Sequence, residues 1–140
     1  MSTKHSKNSK NNAVNIPQSG EVKTPVWSDP KTGLEWQHEC AGTMSWSDAI
    51  EYAQSLSLNG KDDWRLPAVM ELETLLNRGA LYDSLRPAMR KDVPFRDKLS
   101  YWSSTTFEEN TNSAWIIKFD GGYILSYYKS NHYNVRCVRG

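Results

Sequence analysis

Three groups of residues in this chain have the types and spacing for chemistry. The first is Arg65, set between Trp64 and Leu66 in DDWRLP and followed by Pro67. A guanidinium in such company either grips a ligand, or lays its stem along aromatic surface and donates to carbonyls or a carboxylate. With a proline and an apolar helical run directly behind it, Arg65 reads as scaffold, and Arg136 within VRCVRG reads the same way. The second group is RPAMRKDVPFRDK, with Arg86, Arg90, Lys91, Arg96 and Lys98 against two aspartates. Arginine suits bidentate contact with sulfate or carboxylate, so this segment is a candidate anion-binding loop. An ordinary solvated loop with internal ion pairs is the competing reading. The third is the aromatic and amide cluster Tyr127, Tyr128, Lys129, Asn131, His132, Tyr133 and Asn134. Aromatic faces stack on sugar rings, and amides with a cation orient polar ligands. Against this, period-2 alternation buries roughly half of any tyrosine-rich strand.

Catalytic and metal chemistry find less support. Ser103, Ser104, His38 and His132 supply hydroxyls and imidazoles, but no nucleophile-elbow motif gathers them, and no enzyme is expected. Cys40 and Cys137 lie too far apart for a short metal-ligand pattern. Two readings of them stand: a disulfide pinning the last strand to the N-terminal part of the fold, or two buried free thiols. Glu108, Glu109 and Asn110 form an oxygen-rich loop, read as a solvated acidic turn rather than a calcium site. No cofactor is expected.

These groups need elements to position them. VWSDPKTGLEWQ reads as two short strands about a turn. In TMSWSDAIEYAQSL, Trp46, Ala49, Ile50 and Ala53 recur at helical spacing behind a Ser45 N-cap, which predicts a helix from about Trp46 to Leu56. Asn59-Gly60 marks a turn. A second helix follows Pro67, with Val69 or Met70, Leu72, Leu75 and Leu76 inward and a stop at Asn77-Arg78-Gly79. Residues 80–100 form a long connection. YWSST, then SAWIIKF and YILSYY about Asp120-Gly121-Gly122, predict strands and a hairpin. HYNVRCVRG reads as a last strand with Val135, Cys137 and Arg139 on one face. The outline is α+β: two helices packed on small antiparallel sheets with long loops.

Bulk properties bound the function. The 140 residues suffice for one domain, and 38% hydrophobic with 24% charged content excludes a wholly disordered chain. Net charge is +1; residues 1–24 carry four Lys and one Glu, hence +3, which leaves −2 for 25–140. A mildly acidic domain behind a basic tail argues against nucleic-acid partners. No apolar run is long enough for membrane insertion. Residues 1–24 read as a flexible polar leader or linker without the apolar region of a signal peptide, and 25–140 as the folded domain.

DDWRLP with its MEL helix, YWSST, AWIIKFDGG and VRCVRG, in that order, resemble the C-terminal domain of bacterial collagen-like adhesins (the Lcl C-terminal family). The resemblance implies a C-type-lectin-like fold in which Trp64, Arg65, Pro67, Trp102, Trp115 and Arg136 form the frame. It further implies an extracytoplasmic, non-catalytic adhesion module that recognises a glycan, sulfated or otherwise anionic, or a protein surface. Such adhesins trimerise, so a homotrimer is a natural partner state. The alternative is an assembly domain that makes only protein–protein contacts. Calcium-dependent lectin sites resemble Glu-Pro-Asn or Gln-Pro-Asp followed by Trp-Asn-Asp, and this chain has neither. Relatives place Thr or Asn where Ala68 stands, so the second helix is expected to lack its cap.

Overall fold

The computed structural model describes residues 24–77 and 87–140. Its first strands, β1 (Val26–Ser28) and β2 (Glu35–Gln37), pair antiparallel about a turn organised by Asp29. The Asp29 carboxylate accepts from the Lys31 N–H at 2.9 Å and the Thr32 hydroxyl at 3.0 Å. β2 then pairs antiparallel with the last strand, β8 (Val138–Arg139), closing a three-stranded sheet ordered β1-β2-β8. The two ends of the domain are thereby zipped together. The backbone of Arg65 continues that zip, exchanging both hydrogen bonds with Val138 at 2.9 Å.

A five-stranded sheet contains β3 (Thr43–Met44), β4 (Ser100–Thr106), β5 (Ser113–Lys118), β6 (Tyr123–Tyr128) and β7 (Tyr133–Asn134). Its order is β3-β7-β4-β5-β6. All its pairings are antiparallel except β4 with β7, which meet in parallel at Tyr101 and Asn134, so the expected wholly antiparallel sheets are corrected here. HYNVRCVRG is likewise not one strand. β7 and β8 belong to different sheets, and Val135, Arg136, Cys137 and Val138 between and within them are all buried. Four consecutive buried residues break period-2 alternation because this segment crosses the interior from one sheet to the other.

Two helices complete the α+β architecture. α1 (Trp46–Ser55) starts where expected, with the Ser45 hydroxyl accepting from the Asp48 N–H, and it buries Ala49 and Ala53. α2 (Val69–Glu73) is shorter than its apolar pattern suggests, because Leu75 and Leu76 reach the core from the turn that follows it. Met70 is left 72% exposed. Ala68 has no oxygen to cap α2, yet the helix start is satisfied from elsewhere. Glu71 reaches back to accept from the Ala68 N–H at 2.9 Å, and the Thr105 hydroxyl on β4 accepts from the Val69 N–H at 3.0 Å.

Neighbouring residues on β4 and β5 feed different cores. Tyr101 and Ile117 join Trp36, Leu72, Leu75, Val93, Phe95 and Phe119, while Trp102 and Ile116 join Ala49, Ala53, Trp64, Leu66 and Val135. Both faces of the central strands are therefore covered, which explains the near-continuous apolar run in SAWIIKF. Among the described residues no helix is long and apolar enough to cross a membrane.

Candidate functional site

β6 and the turn that follows it gather most of the third group. Tyr127 packs on Tyr133 with ring centroids 5.5 Å apart, and Tyr133 stands edge-on to the buried Trp102 ring at 5.1 Å. The exposed Tyr127 ring, at 39% accessibility, is thus backed by an ordered stack reaching the core. Tyr128 is 59% exposed, and Asn131 and His132 are exposed beside it. Burial, followed by the neighbouring Tyr127, pushes the Tyr133 hydroxyl above the ordinary phenol pKa, so it stays protonated and can both donate and accept.

Two members of the group are committed to the framework instead. The Asn134 amide donates to the Ser100 carbonyl at 3.0 Å and accepts from the Cys40 thiol at 3.4 Å. The Lys129 ammonium lies 4.0 Å from the Trp46 ring centroid and donates to the Thr106 hydroxyl at 3.0 Å. Both side chains are held by internal partners, which corrects their expected place among the free ligand contacts. What remains open is Tyr127, with Tyr133 as its floor, together with the exposed Tyr128, Asn131 and His132 of the strand end and turn.

The structure withdraws one member of the cationic segment from the surface. Arg86 lies outside the described residues. Arg90 is only 7% exposed, and its guanidinium is fully occupied. It donates to both oxygens of Asp29 at 2.9 Å, to Asp92 at 2.6 and 3.0 Å, and to the Thr74 carbonyl at 3.1 Å. These partners raise the Arg90 pKa further above its ordinary value. Burial pushes the Asp29 carboxyl up, but the hydrogen bonds from Arg90, Lys31 and Thr32 outweigh it and hold the pKa below 3.8. Arg96 turns back on its own loop, donating to the carbonyls of Arg90 at 2.6 Å and Val93 at 3.3 Å. Reading Arg90 as a ligand contact is corrected accordingly, because it is sealed in, whereas Arg96 is exposed and uses one guanidinium nitrogen for these carbonyls. Lys91 and Lys98 are exposed.

Arg65 forms a bidentate pair with Glu71, both bonds 2.7 Å, and adds a donation to the Gly140 carbonyl at 3.2 Å. That pairing lowers the Glu71 pKa and raises that of Arg65. Arg136 is 3% exposed. It donates to the carbonyls of Gln37 and His38, to Asp97 at 2.9 Å and to the Tyr101 hydroxyl at 3.0 Å, with its guanidinium 3.7 Å from the Phe95 centroid. The Trp64 indole donates to the Leu58 carbonyl and that of Trp102 to the Met44 carbonyl, while Pro67 is buried. Trp115 is half-buried, edge-on to Phe107. A groove of about 210 Å³, missed in the sequence, lies beside α1 and is lined by Ile50, Ala53, Gln54, Arg65, Leu66 and Ser104. The sequence reading also missed Arg139, which pairs with both Glu35 and Asp63.

Ser103 is buried, donating to the Trp115 carbonyl at 2.7 Å and accepting from the Thr105 N–H. Cys40, partly buried, and Cys137, buried, are not joined by a disulfide in this structure. The Cys40 sulfur is occupied by Asn134 and by the Gly42 N–H at 3.3 Å, and Cys137 is buried in the α1-side core. Among the described residues no group of three or more His, Cys, Asp or Glu is placed to hold a metal ion.

Residues 25–139 match the family model described as the Lcl C-terminal domain. The chain belongs to that family. Among curated proteins none matches it. Membership accounts for the order of the frame motifs, and the geometry above shows what each does in this Lcl C-terminal domain.

Proposed function

We propose that this domain is a non-catalytic binding module with a C-type-lectin-like architecture, working in an extracytoplasmic setting and recognising a glycan or a protein surface through the Tyr127–Tyr133 end. One observation carries the reading: Tyr127 is a large, exposed aromatic whose backing, Tyr133 on Trp102, is already ordered, and the exposed Tyr128 follows it on the other face of the strand. A stacked platform that is rigid before binding loses little conformational entropy when a sugar ring or apolar side chain settles on it. The amides of Asn131 and the imidazole of His132 stand beside it as polar contacts. Pairing of the first strands with the last, with the longer loops carried by the second sheet, supports the lectin-like architecture. Because Arg90 is spent inside the fold, an anionic ligand would meet Lys91, Lys98 and the exposed Arg96, and stacking on the tyrosine is expected to supply the larger share of affinity.

A glycan array containing neutral and sulfated sugars, probed at low and high salt, tests this. Binding that survives salt and a Lys91→Ser/Lys98→Ser variant but falls at least about tenfold in Tyr127→Ala, the loss of roughly one aromatic contact, is the expected outcome. Binding abolished by salt and charge removal yet indifferent to Tyr127 would replace the tyrosine site with an electrostatic one. An absence of binding to any sugar or protein ligand would favour the assembly role.

A further inference from the structure

Among the described residues β6 is an edge strand with no further strand paired to its outer side. The other sheet margins are short or covered: β1 has three residues, β3 has two, and β8 is closed by Arg65. β6 runs six residues in unbroken register against β5, with no bulge, proline or charge from Tyr123 to Tyr128. Natural edges usually carry one of those devices to prevent pairing with another chain.

The backbone direction along β6 can be assigned. The Lys129 N–H donates to the Asn112 carbonyl at 2.7 Å, in register with the β5–β6 pairs. Antiparallel alternation then points the groups of Tyr123, Leu125 and Tyr127 toward β5, and those of Ile124, Ser126 and Tyr128 outward. The Tyr128 carbonyl accepts from the Asn131 N–H; the Ile124 and Ser126 groups face away from the sheet.

We infer that β6 pairs antiparallel with β6 of a second copy of this chain about a two-fold axis at Ser126, joining two five-stranded sheets into one. An isologous pairing of this kind places residues of the same face opposite each other. Centred on Ser126, it sets Ser126 opposite Ser126, Ile124 opposite Tyr128 and Leu125 opposite Tyr127, so that every outward residue meets another outward residue. Aromatic–β-branched pairs such as Ile124 with Tyr128 are favourable across strands. A centre at Leu125 would instead set Tyr128 opposite Gly122, which has no side chain to form a cross-strand pair. No like charges oppose: Lys129, the first charge beyond the strand, falls opposite Tyr123. The faces stay open, and the two Tyr127 side chains come to lie on one face about 8 Å apart, one strand spacing across and two residues along. Pairing rests on the edge and not on any ligand, but it would set two tyrosine platforms side by side and allow bivalent attachment.

The test is light scattering together with amide hydrogen exchange, both across a concentration series of the full chain. The expected result is a dimer that dissociates on dilution. Exchange at Ile124, Ser126 and Tyr128 should slow as the dimer forms, while Leu125 and Tyr127 stay protected throughout. Ser126→Pro, which removes an outward N–H that the β5 ladder does not use, and Ser126→Lys, which opposes two ammonium groups, should both give monomers with unchanged near-UV circular dichroism. Ligand binding by those monomers, measured separately, reports on the tyrosine site alone. A wild-type chain that stays monomeric with freely exchanging outward amides overturns the pairing. So does a dimer that persists in both variants, or protection of those amides in the dilute monomer.

Discussion

Replacing Asp29 by Asn isolates what the buried Arg90 contributes. All five guanidinium hydrogens are committed, two of them to Asp29, and the same carboxylate holds the β1–β2 turn through Lys31 and Thr32. The substitution removes the charge and turns one acceptor oxygen into a donor facing another donor. Removing one partner of a buried ion pair costs about 3–5 kcal/mol, and the surviving Asp92 contact places this case near the lower end, about 3 kcal/mol. Urea unfolding followed by tryptophan fluorescence should show that loss with an unchanged m-value, and the melting temperature should drop by on the order of 10 °C.

The pH dependence gives a second, sharper check. The folded Asp29 carboxyl sits below 3.8, so its contribution is complete above the unfolded value and is lost as pH falls through the lower folded value. Wild type and Asp29→Asn should therefore differ fully at about pH 7 and converge once pH drops well below that window. A difference under about 1 kcal/mol at neutral pH, or one that does not shrink in acid, refutes the role given to the pair. It would return Arg90 to the list of candidate ligand contacts.

Arg136→Lys should cost about 3 kcal/mol in the same urea assay, since one ammonium cannot replace a planar donor that serves three carbonyl or carboxylate partners, a hydroxyl and a ring face. Thr105→Val should destabilise by about 1 kcal/mol by orphaning the Val69 N–H, and Ala68→Ser should recover a similar amount by restoring a local cap, both read from thermal melts. Gly122→Ala should lose roughly 2 kcal/mol, because its backbone is left-handed at φ +73° and a Cβ would stand 2.7 Å from the Pro87 carbonyl. Thiol labelling should modify Cys137 only after denaturation, and reducing agent should leave electrophoretic mobility unchanged.

Local signals in the sequence were sufficient wherever one side chain decides the outcome. Ser45 starts α1, and Asn59 with Gly60 takes up positive φ at the turn closed by Leu58 and Lys61. Gly121 and Gly122 supply the hairpin between β5 and β6. What escaped the sequence depends on partners distant along the chain. Nothing near RPAMRKDVPFRDK announces that Asp29, some sixty residues earlier, will receive Arg90. The division of HYNVRCVRG between two sheets was hidden for a related reason, since alternation is a rule for strands with one wet face and this segment has none. In the tyrosine group the residue types were legible, but only packing separates Tyr127 and Tyr128 from the internally bonded Lys129 and Asn134.

The four arginines of the frame share a logic that also ranks them. Each joins irregular backbone to the three-stranded sheet or to its neighbours: Arg90 to Asp29, Arg136 to Gln37 and His38, Arg139 to Glu35, and Arg65 beside its bridge to Val138. A guanidinium suits this work because it satisfies several acceptors where no ladder of backbone bonds exists. Its energetic weight then depends on access to water. Arg90 and Arg136 are buried, so losing either strands acceptors and carboxylates in the interior. The Arg65 side chain is 42% exposed beside Glu71, where solvent competes for the same bonds and an ion pair contributes about 1 kcal/mol or less. Neutralising Arg65 should therefore leave a folded domain and neutralising Arg136 should not, although the sequence presents both as arginines flanked by apolar residues.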